Sequence, residues 1–377
     1  MNVVATQGSA DFLSQLQQLH DEKQDWIFGH LNYDCKNLLE PKLTTTLPAN
    51  TGFPLFHFFI PETVCYINSE QTVLTVETIG DPKLIYEAIC KSDDVPFKSP
   101  IPKVQFTKAI EKDEYIDTIA TLRKHIADGD CYEINFCNKG FCEKAEVIPL
   151  QVFHALNVLS PAPFAAFYRL HDQYMMCTSP ERYLRKAGSK ILSQPIKGTA
   201  RRDIDKTRDD QIKETLRMDI KERAENVMIV DLVRNDLARC CEVGSVEVEE
   251  LFGIYSFPQV HQMISTVSGT LRAEVPFTDA IRHSFPMGSM TGAPKFKVMQ
   301  LIDKYERSAR GLFSGTLGYI TPTGDFDLNV VIRSLFYNAA TGYLSYQAGG
   351  AITYDSDADR EWEEMCLKAW ALERIFS

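Results

Sequence analysis

The chain has 377 residues, of which 44% are hydrophobic and 24% charged, and its formal net charge is −11. This composition is typical of a globular protein with enough apolar material for a sizeable core. The acidic balance argues against nucleic acid as the main partner, because phosphate contacts need a basic surface. We see no signal peptide and no apolar run long enough to span a membrane, so we expect no membrane partner.

The cysteines and histidines do not indicate a disulfide framework or a zinc site. Ten cysteines are scattered along the chain, including the neighbours Cys240 and Cys241, and the eight histidines do not cluster with them. No C-x-x-C pair is present. We therefore expect most of these cysteines to be small buried apolar residues in a protein of the reducing cytoplasm.

The first hundred residues contain aromatic and β-branched runs at 26–34 and 53–60, which predict strands. Residues 91–104 hold three prolines and several charges, which is typical of a connection. The sequence therefore predicts an amino-terminal subdomain over 1–100 and a second region over 105–377.

Helix and strand patterns follow one another through the second region. Apolar residues at helical spacing predict helices, and β-branched runs between Gly-rich turns predict strands. The predicted helices cover 108–127, 209–239 and 358–375, and the predicted strands cover 131–137, 312–321, 328–337 and 343–354. Strands in runs, without regular βαβ alternation, favour an α+β fold.

A lysine lies on a predicted sharp turn in Pro195-Ile196-Lys197-Gly198-Thr199. Proline fixes its own backbone angle, and glycine lets another backbone or a ligand come close. An amine held in such a turn can act as a nucleophile. A lone lysine before a glycine is more often a solvated surface charge, so the pattern alone leaves both interpretations open.

Two predicted helices each carry glutamates three residues apart, Glu222 with Glu225 and Glu361 with Glu364. Residues at i and i+3 share one face of a helix. Two such faces meeting across a cleft would give oxygen ligands of the kind that Mg²⁺ prefers. Solvated surface glutamates are the competing interpretation for either pair alone.

Three further patterns suit an anionic ligand. Residues 285–295 are rich in Gly, Ser and Thr and precede a helical pattern, although the P-loop order is missing. Adjacent Gly349 and Gly350 would let a carboxylate approach backbone donors, or would simply form a turn. Arg333, predicted to lie inside an apolar strand, needs a partner, and a substrate carboxylate is suitable.

Taken together, these segments resemble the chorismate-utilising enzymes. The resemblance is carried by 179–182, 195–199, 225–236, 285–295, 315–333 and 348–356. It implies a fold like that of anthranilate synthase component I, with two β-sheet subdomains packed around a cleft and helices outside. The amino-terminal part, apart from residues 29–34, matches the family only loosely.

The resemblance also implies a metal and a substrate site. It implies Mg²⁺ bound mainly by Glu225 and Glu364, with Glu222 and Glu361 beside them, holding the ring carboxylate of chorismate. The residues that it implies for the rest of the substrate are Arg333, Tyr319, Gly349, Gly350, Ala351, Ser289, Gly198 and Thr199.

Lys197 separates branches of this family. Members that form anthranilate usually have alanine there, whereas lysine marks the branch that forms 4-amino-4-deoxychorismate. The implied mechanism is attack of a neutral Lys197 amine on C2 of chorismate, followed by ammonia at C4, with Glu181 as general acid and base. We therefore expect the pKa of Lys197 to be lowered, by partial burial or by Mg²⁺.

The sequence indicates an external source of ammonia and leaves two alternative functions open. Neither Gly129-Asp130-Cys131 nor Gly140-Phe141-Cys142 continues into a full G-x-C-x-G turn, so we expect ammonia from solution or a separate glutaminase subunit. The alternatives are anthranilate synthesis and a non-catalytic chorismate-binding protein.

Two positions depart from the family pattern. Glu133 stands where amine-forming relatives usually have glutamine, and where isochorismate and salicylate synthases have a water-activating lysine. Those two activities are therefore not expected, and the role of Glu133 is open. Many relatives have histidine at the position of Gln262, so we expect the neighbouring His261 to face the other way and to be structural.

Overall fold

The structure is a computed structural model that describes residues 11–43, 47–92 and 100–377, together with the backbone of Val3–Val4. Most of the chain start, where we see no signal peptide, lies outside the described residues. So does the segment 93–99 of the predicted connection.

Strands and helices alternate irregularly along the chain. The strands are β1 (Val3–Val4), β2 (Ile27–Leu31), β3 (Phe56–Phe59), β4 (Thr63–Ile67), β5 (Leu74–Thr78), β6 (Thr107–Lys108), β7 (Glu133–Cys142), β8 (Phe164–Leu170), β9 (Gln173–Ser179), β10 (Arg182–Ala187), β11 (Lys190–Gln194), β12 (Ile196–Arg201), β13 (Glu247–Ser256), β14 (Val260–Thr270), β15 (Gly292–Ala293), β16 (Thr316–Ile320), β17 (Phe326–Asn329), β18 (Ser334–Asn338) and β19 (Tyr343–Ile352). The helices are α1 (Phe12–Lys23), α2 (Lys36–Leu39), α3 (Pro82–Lys91), α4 (Lys112–Ala127), α5 (Pro149–Leu159), α6 (Lys206–Met218), α7 (Ile220–Ala238), α8 (Phe277–Ser284), α9 (Lys295–Tyr305) and α10 (Ala358–Arg374).

Two antiparallel sheets dominate the part of the chain that the structure describes. The larger sheet has ten strands, in the order β1-β3-β2-β16-β17-β10-β11-β14-β12, with β13 also paired to β14. The smaller sheet has seven, in the order β15-β7-β19-β18-β9-β8, with β6 paired to β7. Two sheets with interspersed helices confirm the predicted α+β class.

The amino-terminal strands belong to the larger sheet. β2 pairs with β16 over five residues, from Leu31 opposite Thr316 to Ile27 opposite Ile320. The predicted division near residue 100 is therefore not a division between sheets. A large buried apolar cluster includes Leu31, Leu184 and Val267 of this sheet together with Ile229 of α7.

The chain changes sheets where one continuous strand was predicted. The prediction of a single strand over 328–337 was wrong, because β17 ends at Asn329 in the larger sheet and β18 begins at Ser334 in the smaller one. Arg333 therefore precedes a strand rather than lying inside one. It takes a left-handed backbone conformation with φ of 52°.

The long helical region over 209–239 is also divided. Asp219 has an extended backbone, with φ of −64° and ψ of 117°, and its side chain accepts a hydrogen bond from the backbone N–H of Glu222. This N-cap ends the continuity with α6 and begins a separate helix, α7. Consequently Glu222 and Glu225 lie in the first two turns of α7, at the end that favours negative charge.

Candidate active site

A buried ion pair joins the two sheets. Lys197 on β12 of the larger sheet donates a hydrogen bond from Nζ to Oε1 of Glu133, the first residue of β7 in the smaller sheet. The two side chains are only 8% and 1% exposed. Lys197 is therefore not a solvated surface charge, and the candidate site lies between the sheets.

The backbone around Lys197 explains how it reaches this position. The pairing of β12 with β14 shifts register between Ile196 and Thr199, which is a bulge. Gly198 inside that bulge has φ of +87°, and a Cβ added there would lie 3.2 Å from Oε2 of Glu222. Glycine thus permits both the left-handed conformation and the close approach of Glu222.

The electrostatic surroundings of Lys197 differ from our expectation. Burial by itself lowers the pKa of Lys197, but the negative charges of Glu133, Glu225 and Glu181 outweigh it and raise the pKa above its ordinary value. The expectation that burial lowers the pKa of Lys197 overall was therefore wrong, and a lowering by Mg²⁺ stays a prediction. A buried ammonium surrounded by carboxylates keeps its proton, because its charge is compensated.

Glu181 is a buried carboxyl group held by serines. It follows β9, where its backbone N–H donates to Ser179 Oγ at 3.2 Å, and its Oε1 accepts a hydrogen bond from Ser289 Oγ at 2.7 Å. Burial raises the pKa of Glu181 to about 7, against the opposing effects of Ser289 and Lys197. A carboxyl group with a pKa near 7 can both give and take a proton at neutral pH.

The fold brings the two glutamate pairs together. Lys221 Nζ lies 3.7 Å from Glu225 Oε1 on α7 and 3.7 Å from Glu361 Oε1 on α10. Gly350 lies beside the second pair, because a Cβ there would be 3.2 Å from Glu361 Oε2 and 3.4 Å from Glu364 Oε1. The four carboxylates therefore border one region, close to Gly198 and Gly350.

Lysines neutralise these glutamates. Burial by itself lowers the pKa of Lys221. The negative charges of all four glutamates outweigh this effect and raise the pKa above its ordinary value. Lys368 Nζ binds Glu364 Oε1 at 2.6 Å and also donates to the carbonyl of Gly349 at 2.9 Å. Among the described residues, no three histidine, cysteine or acidic side chains already converge closely enough to hold a metal ion.

Arg333 has a guanidinium group without a hydrogen-bond or ion-pair partner among the residues that the structure describes. Its backbone carbonyl accepts hydrogen bonds from the N–H and the hydroxyl of Thr178, both at 3.1 Å. Its side chain is half-buried and makes no hydrogen bond or ion pair within the described part of the chain. The negative charge of Glu364 acts on the guanidinium group from a longer distance. Such a group is suited to an anionic ligand.

The remaining predicted residues vary in their placement. Ala351 pairs with Asn135 on β7, next to Gly350 in the same strand. The Thr199 side chain is exposed, opposite Gln262 on β14. Tyr319 is 38% exposed and packs against Trp26 and Phe28, and no described contact joins it to Lys197 or Glu181.

His261 is structural, as expected. Its Nε2 lies 2.9 Å from Asp209 Oδ1 on α6 and its Nδ1 lies 2.8 Å from Ser256 Oγ. Arg202 holds the same aspartate at 2.7 Å. Gln262 is buried on the neighbouring position of β14, and its Oε1 has no hydrogen-bond partner among the described residues.

The family model described as "chorismate binding enzyme" matches residues 3–374. The chain belongs to the chorismate binding enzyme family. The match covers both sheets and all the residues of the candidate site.

Individual relatives agree with this family assignment. The chain is 40% identical to aminodeoxychorismate synthase component 1 of Salmonella typhimurium over 90% of this chain and 74% of that protein. It is 41% identical to aminodeoxychorismate synthase of Streptomyces griseus over 70% of this chain. It spans about a third of the length of that protein and of two other curated relatives, with 36%, 35% and 35% covered.

A solved structure has the same fold. Anthranilate synthase component I from Streptococcus pneumoniae superposes with a TM-score of 0.83, at 26% identity, over 92% of this chain and 80% of that one. The predicted fold of the chorismate binding enzyme family is thus confirmed. No described helix is both long and apolar enough to cross a bilayer.

Sequence reasoning missed the lysines that surround the glutamates and did not assign Glu133. Glu133 was noticed as a departure from the family pattern, but only the fold brings it against Lys197, 64 positions away. Lys221 and Lys368 had a usable signal, since each lies four residues from a site glutamate on the same helix.

Proposed function

We propose that the protein is component I of an aminodeoxychorismate synthase. It would aminate chorismate with ammonia to give 4-amino-4-deoxychorismate, on the route to 4-aminobenzoate and folate. The observation that carries this proposal is the buried Lys197, which lies between the two sheets with Glu133 as its partner and with Glu181 close enough to influence its charge. Relatives named aminodeoxychorismate synthase support the same function.

The residues around Lys221 fit Mg²⁺ as a cofactor. They offer four carboxylates, and carboxylate oxygen is the donor that Mg²⁺ prefers. Oε1 of Glu225 is buried without a hydrogen-bond partner among the described residues, and burial raises the pKa of Glu225 to about 7. We propose that Glu225 and Glu364 hold the ion, with Glu222 and Glu361 beside them. When bound, Mg²⁺ would draw electrons from the ring carboxylate of chorismate.

Substrate binding would use a charge that is left unpaired among the described residues. Arg333 would pair with the second carboxylate of chorismate, and Gly198 and Gly350 would leave room beside the glutamates. Ser289 would keep Glu181 oriented through its existing hydrogen bond. The roles of Thr199, Tyr319 and Ala351 stay predictions, since they rest on the family resemblance.

The chemistry would proceed through a covalent bond to Lys197. Lys197 first loses its proton to water. The neutral amine then adds to C2, the ring double bonds shift, and the C4–O bond breaks while Glu181 gives its proton to the leaving hydroxyl. Ammonia then adds to C4, and the C2–N bond breaks with its electrons returning to Lys197. The new ammonium group returns a proton to Glu181, so water is the only by-product.

The partner and the compartment follow from this proposal. Ammonia would come from a separate glutaminase subunit, which agrees with the name "component 1" of several relatives. All ten cysteines are free thiols, which agrees with a reducing cytoplasm.

Product analysis tests this proposal. The protein is incubated with chorismate, Mg²⁺ and an ammonium salt, and the product is identified by mass spectrometry and chromatography against standards. 4-Amino-4-deoxychorismate is the expected product. Anthranilate would support the rival synthase, and binding of chorismate without turnover would support a non-catalytic protein.

A further inference from the structure

Lys221 lies between the two helices that carry the four glutamates. Its ammonium group is 3.7 Å from Glu225 Oε1 of α7 and 3.7 Å from Glu361 Oε1 of α10. Neither carboxylate reaches the other directly through a described contact. The ammonium group of Lys221 therefore links the two helices at the point where the proposed metal would lie.

The glutamates need such a charge. Glu225 Oε1 has no hydrogen-bond partner among the described residues, whereas Glu361 Oε1 accepts one from Ser356 and Glu364 is paired with Lys368. Buried carboxylates of like charge repel one another unless a cation compensates them. Lys221 faces this oxygen at 3.7 Å, and the positive charge of Lys197 also acts on Glu225.

Lys221 is also able to move away. Its side chain is 48% exposed, in contrast to the 8% and 4% exposure of the two carboxylates that it faces. It borders an open cleft of about 910 Å³ at the junction of α6 and α7, together with Met218, Asp219 and Ile220. The four-carbon stem of lysine is flexible, so the ammonium group can swing into water at little cost.

We propose that Lys221 is a tethered cation that holds the place of Mg²⁺ between α7 and α10 and is displaced when the metal binds. This inference rests on the metal site of the proposed function. Binding is then an exchange of one cation for another. The lysine keeps the carboxylates compensated in the metal-free protein, and its displacement lowers the apparent affinity for Mg²⁺.

Calorimetric titration of the full chain with Mg²⁺, without substrate, tests the exchange. In Lys221→Met the competing charge is absent, and we expect Mg²⁺ to bind roughly tenfold more tightly than in the wild type. Lys206→Met, which removes an exposed lysine from α6, is the matched control and should leave the affinity unchanged. Equal or weaker binding by Lys221→Met overturns the inference, whereas absence of binding to the wild type would instead contradict the metal site itself.

A second measurement separates displacement from the mere presence of a nearby charge. Reductive methylation with ¹³C-formaldehyde keeps the charge of lysine and gives each one an NMR signal. The Lys221 signal, identified by its absence in Lys221→Met, should move toward the position of a solvated lysine when Mg²⁺ is added. A signal that stays in place while Mg²⁺ binds overturns the inference. Lys221→Arg, which keeps the charge but carries no methylated amine, identifies the signal if Lys221→Met does not fold.

Discussion

Lys197 of the larger sheet donates a hydrogen bond to Glu133 at the first position of a strand in the smaller sheet. The pair is almost completely buried, so the position of the amine is determined jointly by both sheets. Because Glu133, Glu225 and Glu181 together raise the pKa of Lys197, these carboxylates favour the ammonium form of the proposed nucleophile.

Replacing Lys197 by alanine should remove the reaction but not the binding site. We expect Lys197→Ala to lose most of the aminodeoxychorismate-forming activity, by about 10²-fold or more, because Lys197 is the proposed nucleophile and the change removes its amine. Mg²⁺-dependent binding of chorismate, measured by calorimetry, should persist. Unchanged turnover in this variant would rule out the covalent mechanism.

Replacing Glu133 by glutamine should shift the acidic limb of the pH–rate profile. The variant removes a negative charge that raises the pKa of Lys197. The pKa of Lys197 should therefore fall. Since the neutral amine is the reactive form, its fraction rises at lower pH, and the acidic limb of kcat/KM should move to lower pH. Glu143→Gln, an exposed change just after the other end of β7, is the control that should show no shift. Movement to higher pH would assign Glu133 a different role, such as accepting the proton of Lys197.

Glu181 should make the stability of the protein depend on pH. Burial raises its pKa from 4.5 to about 7, so the folded chain binds this proton more tightly than the unfolded chain. The stabilisation is therefore fully present below pH 4.5 and is lost as the pH rises through about 7. Glu181→Gln should remove this dependence and raise the free energy of unfolding at pH 8, relative to the wild type, by up to roughly 3 kcal/mol.

Urea unfolding of both proteins at several pH values measures this effect. A difference between wild type and variant that is independent of pH would contradict the origin of the shifted pKa. The same variant should lower kcat by about 10²-fold, because glutamine neither gives nor takes the proton.

Gly198 should be needed for more than its backbone angle. Gly198→Ala combines the strain of φ at +87° with a Cβ 3.2 Å from Glu222, so both stability and Mg²⁺ binding should suffer. Gly188→Ala is the matched control, since Gly188 has φ of +60° and nothing within 4 Å of the added Cβ. We expect the control to cost only about 1 kcal/mol in thermal or urea unfolding, with Mg²⁺ affinity unchanged. Equal effects of both changes on Mg²⁺ affinity would show that contact with Glu222 is unimportant.

The sequence by itself determined the local parts of this protein. Periodicity predicted the helix that became α10 and placed Glu361 and Glu364 on one face, because i and i+3 always share a face. Turn residues marked the hairpin between β18 and β19, and Pro195 and Gly198 marked the irregular backbone at Lys197.

Only the tertiary structure decided which of these parts meet. The apolar run through 328–337 gives no local sign of the sheet change after Asn329, because both segments are buried and look alike in hydrophobicity. The sign of the Lys197 pKa shift depends on three carboxylates that come from other elements, so burial alone predicted the wrong direction. The place of Lys221 between α7 and α10 likewise follows from packing, since a charge at one helix start carries no information about the helix that will face it.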